Sequence, residues 1–290
     1  MALRTNQDRL VEIGVVGEVV HPRIPSSIYR VGQDGRLHVV PGTGGVVRNV
    51  RVGAPATGWR GDHIEPGASI RAKSAEENTA LNVLACVGNR ATVVSGDAKG
   101  GVGYVTGKHG GVEHVLCEFP DEVLEKLLPG DRVRVDAFGQ GLELTDYPEI
   151  AVRNLDPRLL DVWGIVEEEG RLVVPVTHCV PAKVMGSGLG ANTTVRGDYD
   201  IQLFSSDVVE EFGLSDLRLG DLVAILDADH TYGRSYFSGA VSVGVVVHSD
   251  SYVAGHGPGV TTLLTSRTGA IRPKTDPEAN LKTLMARRNG

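Results

Sequence analysis

The stretch GGVEHVLCEFPDEVLEKLLPGDRVRVD, residues 110–136, decides how this chain folds. Val112–Phe119 is an apolar, β-branched run that reads as a strand. Pro120 and two acids then open PDEVLEKLL, where Val123, Leu124, Leu127 and Leu128 share one helical face. Gly130-Asp131 makes a turn, with Asp capping its own backbone, and Arg132–Asp136 reads as a second strand. The same order recurs in RGDYDIQLFSSDVVEEFGLSDLRLGDLVAILD, residues 196–227, where Asp221 takes the turn role. Aligning Asp121 with Asp207 sets His114 opposite Asp200, two polar residues in strand-like surroundings. An internal duplication accounts for the repeat, and so does convergence on one strand–helix–turn–strand pattern.

On either side of this segment lie further strand-like runs: Val11–Val20, Leu37–Val40, Ala91–Val94, Leu172–Val176, Leu222–Leu226 and Val241–His248. Helical patterns are fewer. They comprise Pro120–Leu128, Asp207–Phe212 and a terminal helix capped by Asp276 before Pro277 and ending near Arg288. The 38 glycines suit tight turns and disfavour a helical bundle. The expected fold is mainly β, barrel- or sandwich-like with Gly-rich turns and three or four short helices. The 290 residues divide into an N-terminal domain, 1–155, and a C-terminal domain, 156–290, meeting near Asn154–Arg158.

Lys and Arg number 29 against 36 Asp and Glu, a net charge of −7, and no basic block stands out. That balance argues against a nucleic-acid partner. Lys282 with Arg287-Arg288 reads as the cationic end of the terminal helix. No apolar run reaches the roughly 18–20 residues that cross a bilayer, and residues 1–20 lack the pattern of a secretory leader. Cys86, Cys117 and Cys179 form no CxxC and are odd in number, which favours reduced thiols. Cys117 and Cys179 lie near histidines, so a nucleophilic role stays open. The expected setting is cytoplasmic, without a membrane partner.

Glycine and potential ligands coincide in four segments: GDHIEPG (61–67), SGDAKG (95–100), TGKHGGVEH (106–114), and the stretch from Asp227 through Asp229-His230 and His248 to GHGPG (255–259). In an extended chain His63 and Glu65 project together and Asp62 points away. His109 between glycines has no apolar neighbours to pack it into a core. Asp229 and His230 end a strand, where site residues often sit. Imidazole mixed with carboxylate suits a divalent metal ion (Zn, Mn, Fe or Ni), and cysteine is too sparse for a thiolate site. No HExxH, zinc-finger or EF-hand spacing occurs, so a site has to be assembled from distant segments. Gly103–Lys108 falls short of a phosphate loop, and Gly186-Ser187-Gly188-Leu189-Gly190 lacks a dinucleotide context.

GDHIEPG, SGDAKG, TGKHGGVEHVL (106–116) and FPDEVLEKLLPGD (119–131) resemble a prokaryotic family known only as a domain of unknown function. The resemblance is close over about residues 30–150 and continues into the C-terminal half. It implies a mostly β, two-part protein of unassigned activity and supplies no mechanism. Gly197-Asp198-Tyr199-Asp200 and GAVSVG (239–244) more weakly resemble the acetamidase/formamidase family, whose GDGE motif is absent here.

The expectation is a metal-dependent hydrolase of a small polar amide, cyclic amide or ester. The ligand pool is His109, His114, Asp200, Asp229 and His230, with His63 and Asp62 as outside candidates. Glu65 or Glu113 is the expected general base, and Lys99 or Lys108 holds a substrate carboxylate or the developing oxyanion. A non-catalytic ligand-binding or assembly protein, and a metal-dependent lyase or isomerase, are the alternatives. Exposed edges in a Gly-rich β protein also point to a homo-oligomer.

Overall fold

Alternation of inward valines and outward polar residues sets up the first half of the chain. In Arg132–Ala137, Val133, Val135 and Ala137 turn inward while Arg132 and Arg134 face solvent. The computed structural model describes residues 3–24, 27–186 and 193–289 and is mainly β. Six strands close into an antiparallel barrel: β1 (Ile13–Val19), β2 (Gly67–Arg71), β3 (Arg90–Val93), β4 (Val102–His109), β5 (His114–Glu118) and β6 (Arg132–Ala137). Their order around the barrel is β1-β6-β3-β4-β5-β2, and pairing of Glu18 with Arg71 and Val19 with Ile70 closes it. Closure removes free edges. Ile70, Val105, Val115, Val133 and Val135 fill the interior.

The second half builds a mixed sheet from β7 (Ala151–Val152), β8 (His178–Pro181), β9 (Tyr199–Asp200), β10 (Leu222–Asp229), β11 (Ser235–Val246) and β12 (Gly259–Ser266). The order is β7-β12-β11-β10-β8, with β9 added to β12; only β8 and β10 run parallel among these pairs. A three-stranded sheet of Val166–Glu168, Arg171–Val176 and Ile271–Thr275 accompanies it. The repeated pattern recurs as local structure, with a helix between β5 and β6 and another between β9 and β10. The first copy builds the barrel and the second the mixed sheet, and this two-part architecture fits an internal duplication.

Five α-helices occur among the described residues, where three or four were expected: α1 (Ala75–Leu84), α2 (Asp121–Leu124), α3 (Pro157–Trp163), α4 (Ser206–Glu211) and α5 (Leu281–Asn289). The sequence reading lacks α1 and α3. α1 has a complete capping box between Ser74 and Glu77, yet its inward face buries Asn78 and Asn82 beside Leu81, which breaks the apolar period. α3 carries Asp156 as its cap, Pro157 in its first turn and left-handed Gly164 after its end. Seven residues are too few for periodicity to show. The terminal helix starts at Leu281; Asp276 caps the preceding turn instead, accepting from the Glu278 N–H at 2.9 Å.

The halves share one core. Val87, Leu116 and Leu155 pack with Trp163, Leu172, Val243 and Leu264. The barrel meets the mixed sheet at a bulge in β4 between Val105 and Gly107. There the Thr261 hydroxyl accepts from the Lys108 N–H and donates to the Lys108 carbonyl, both at 3.1 Å. A Cβ on Gly107 would stand 2.1 Å from Val247 Cγ1, so glycine is what permits this approach. Gly107→Ala is expected to lower stability by about 1–3 kcal/mol, the usual cost of overpacking, read from the urea midpoint. An unchanged midpoint would show that the two halves are not in contact at β4.

Candidate metal centre

The β4–β5 hairpin ends on the cross-strand pair His109–His114, which puts both imidazoles on one face. Glu65, two residues before β2, is wholly buried against them. Its Oε1 lies 2.5 Å from His109 Nδ1 and 3.1 Å from His114 Nδ1. Its Oε2 accepts from the Gly44 N–H at 2.7 Å and the Ser69 hydroxyl at 2.5 Å. Burial opposes the charge on Glu65, but His114 and His109 outweigh it and hold the carboxyl well below its ordinary range. Burial, with His248 close by, lowers the pKa of His109.

His63 sits in the left-handed region at φ 55°, a strained conformation of the kind found at functional sites. Its N–H donates to the Asp250 carbonyl at 3.0 Å, which ties the 61–66 loop to the second half. His63 Nδ1 is 3.2 Å from Asp62 Oδ1, and Asp62 is held in turn by the Ser251 hydroxyl at 2.6 Å and Arg30 at 3.2 Å. The other nitrogen, Nε2, is 3.2 Å from His256 Nδ1 and 3.6 Å from Asp200 Oδ2. His256 Nδ1 is 3.1 Å from the same oxygen. Burial disfavours charge on His63, yet Asp200 and Asp62 together push its pKa up to about 9.

On the mixed sheet, His248 Nδ1 donates to the Ser249 carbonyl at 2.9 Å, and Nε2 lies 2.7 Å from Asp198 Oδ2 and 3.8 Å from Asp200 Oδ1. Asp198 Oδ1 accepts from the Gly110 N–H of the β4–β5 turn at 2.7 Å. A Cβ on Gly259 would lie 1.9 Å from Asp198 Oδ2 and 2.2 Å from His248 Nε2, so this pair is seated on bare backbone.

Two sets of side chains therefore converge, His63–Asp200–His256 and His109–Asp198–His248, each with ligand atoms within 4.8 Å of one another. Asp200 reaches both sets, Oδ2 toward His63 and His256 and Oδ1 toward His248. His63, His109 and His248 each have one ring nitrogen held by an outer acceptor: Asp62, Glu65 and the Ser249 carbonyl. That is how metal-ligating histidines are oriented in known centres. Four carboxylates, Asp62, Glu65, Asp198 and Asp200, are at most 4% exposed. Among the described residues the one permanent cation within ion-pair distance of any of them is Arg30, on Asp62. Buried carboxylates require compensating charge, from protonated imidazoles or from a divalent cation. The donor set fits the latter: imidazole and carboxylate, with no thiolate.

Of the residues singled out in the sequence, His63, Asp62, Glu65, His109, His114 and Asp200 come together. His109 is buried, contrary to the expectation from its glycine neighbours, because other histidines and Glu65 pack it. Glu65 meets four donors and orients histidines, leaving it no role as a general base. Glu113 stands at φ 59° in the hairpin turn and its carboxylate is 3.1 Å from Arg196. Lys108 points to the other face of β4, where its Nζ donates to Asn154 Oδ1 at 2.6 Å and the Val195 carbonyl at 2.8 Å. Lys99 is exposed in the turn before β4, whose start at Val102 is about 23 Å from His109 at the usual rise per strand residue. Asp229 is occupied by Thr231 and Arg267. His230 exchanges a hydrogen bond with Thr262 at 2.9 Å and packs at a tilt against Tyr199, its pKa pushed down to about 4 by burial. Burial also raises the pKa of the Cys117 and Cys179 thiols, which disfavours the nucleophilic thiolate.

Asp198, His248 and His256 complete the sets and were not in the expected ligand pool. The i, i+2 spacing of Asp198 and Asp200 is the signal that could have found the first, since alternate strand residues share a face. Residues 187–190 of the GxGxG stretch lie outside the described residues.

Residues 29–161 match the N-terminal domain, and 162–285 the C-terminal domain, of the family described as domain of unknown function DUF4438. The two matches meet within α3. A solved structure described as "Crystal structure of TM1086" is similar at 49% identity with a TM-score of 0.93, covering 97% of this chain and 99% of that one. No curated protein matches. No helix among the described residues is long and apolar enough to cross a membrane. Matched across both domains, the chain belongs to the DUF4438 family.

Proposed function

We propose that the two His/Asp sets hold divalent metal and that the protein is a metal-dependent hydrolase of a small polar amide, cyclic amide or ester. The observation that carries this reading is Asp200, one carboxylate shared by two adjacent sets, each completed by two histidines. Asp200, Asp198 and the four histidines of the two sets are the residues that would hold the metal. When bound, such metals polarise a carbonyl and make water a nucleophile near neutral pH. The chain itself supplies orientation: Asp62, Glu65 and the Ser249 carbonyl fix the rings. A lyase or isomerase reaction would draw on the same ligands, and product analysis separates it from hydrolysis. The His256 side chain is 33% exposed while the other ligands are buried, so entry is from its side and suits a small substrate.

A homo-oligomer fits a second feature. Ile24, Ile28, Tyr29, Val31, Leu37 and Val39 are each more than half exposed on and beside the two-stranded ribbon of Arg30–Val31 and Leu37–His38. A two-stranded ribbon with such an apolar surface is suited to contact with a second copy. We place the protein in the cytoplasm on its three free thiols.

Protein purified without chelator or affinity metal is expected to carry one to two equivalents of transition metal by elemental analysis. His109→Ala and Asp200→Asn should lose it while keeping the β circular-dichroism signature, and should cut hydrolysis of a responsive amide or lactone by about 10²-fold or more. Failure to bind Zn²⁺, Mn²⁺ or Fe²⁺ would leave a ligand-binding or assembly role. Lys108→Met is expected to keep the metal and to cost about 1–3 kcal/mol of stability through the unpaired Asn154 and Val195 oxygens. Light scattering should give a multiple of the chain mass, and Val31→Glu with Leu37→Glu should give monomer; a wild-type monomer would reject the oligomer.

A further inference from the structure

A cleft of about 890 Å³ opens between the barrel and α5. Its wall includes Tyr104, five residues before His109 on β4 and therefore about 16 Å from the metal centre at the usual strand rise. Five cations line it: Arg51, Arg90, Arg158, Lys282 and Arg288. Arg51 is taken up by Glu118, Asp121 and the Phe119 carbonyl. Arg158 and Arg288 share a single carboxylate, the buried Asp156. Arg90 and Lys282 have no ion-pair partner among the described residues. Five cations thus meet three carboxylates, an excess of two positive charges in a chain of net charge −7.

The guanidiniums are also held in place with donors to spare. Arg158 engages Asp156 through Nε and Nη2, each at 2.8 Å, and leaves Nη1 unused. Arg288 uses Nη1 on the Gly88 carbonyl at 2.6 Å and on Asp156 at 3.4 Å, leaving Nε and Nη2. Asp156 is fixed as the cap of α3 and by the Asn89 amide at 3.1 Å. Buried Val52, Phe119 and Met285 contribute an apolar floor. Pre-positioned guanidinium donors match the geometry of phosphate and carboxylate, and the volume is that of a small-molecule site.

We propose that this cleft binds a small organic dianion bearing phosphate or carboxylate groups, with its apolar part against Val52, Phe119 and Met285. The site stands apart from the metal centre and does not depend on the hydrolase reading. The cationic end of the terminal helix, which by itself would only balance the helix dipole, becomes one wall of this site.

The test is calorimetric titration of the full-length protein with inorganic phosphate and, separately, with succinate at low ionic strength. The comparison is an Arg90→Ala/Lys282→Ala variant, both positions being exposed and remote from the metal ligands. Saturable one-to-one binding of at least one probe is expected with Kd near or below about 1 mM. The double variant should bind roughly tenfold or more weakly, with metal content and thermal midpoint unchanged, and added salt should weaken the wild type. The tighter probe identifies the anionic group. No binding of either probe at about ten times that concentration overturns the proposal, and so does equal affinity in the double variant, which would assign the heat to the metal centre.

Discussion

The buried negative charge of Asp62, Glu65, Asp198 and Asp200 is the constraint around which this molecule is arranged. Carboxylates withdrawn from water are costly unless nearby groups supply charge and hydrogen bonds, and each of these four is met by both. Glu65 is the clearest case, with two imidazoles, a backbone N–H and a hydroxyl on its two oxygens. The histidines beside these groups are in turn fixed in ring orientation by them. Charge, hydrogen bonding and ligand geometry are therefore one network, and removing any member exposes the desolvation cost of the rest.

That network spans two architectures with different jobs. The barrel is closed, and it delivers His109 and His114 on a hairpin tip braced by Asn78 and Asn82, which donate to the Glu113 carbonyl. The mixed sheet delivers Asp200 on β9 with Asp198 just before it, and His248 and His256 on the segment between β11 and β12. Neither half holds either His/Asp/His set alone where the barrel and sheet meet: one set joins His63 to Asp200 and His256, the other His109 to Asp198 and His248. Glycines mark the closest approaches: a side chain on Gly107 would meet Val247 and hold the halves apart, and one on Gly259 would meet Asp198 and His248 within the second half. The same junction, at its opposite end, leaves the cationic cleft between β4 and α5, so one interface carries two chemically opposite sites.

Much of the fold was legible in the residues. The β-branched runs bounded by glycine became strands, the 110–136 segment became strand, helix and strand, and Asp131 and Asp221 cap their turns as read, accepting from Leu128 and Arg218 N–H groups. What escaped was structure whose signal is short or polar. α1 buries asparagines in place of an apolar stripe, and α3 is only two turns long. β4 reads as a glycine-rich loop because its glycines serve close approaches, Gly103 to Glu118 and Phe119 and Gly107 to Val247, and not a turn.

The candidate centre divides along a physical line. Residue chemistry and local spacing are local properties, so GDHIEPG and TGKHGGVEH already announce imidazole beside carboxylate, and the chain's composition already excludes a thiolate centre. Which ligands meet is decided by strand pairing and domain packing, over separations as large as that between His63 and His256. Sequence spacing therefore promoted Asp229 and His230, which end a strand but face Arg267, Thr231 and Thr262. It passed over Asp198, whose partner His248 lies fifty residues away and reaches it only because β9 and β12 pair. Alternation along β4 likewise sends adjacent Lys108 and His109 to opposite faces, so one becomes an internal tie to Asn154 and the other joins the His/Asp cluster.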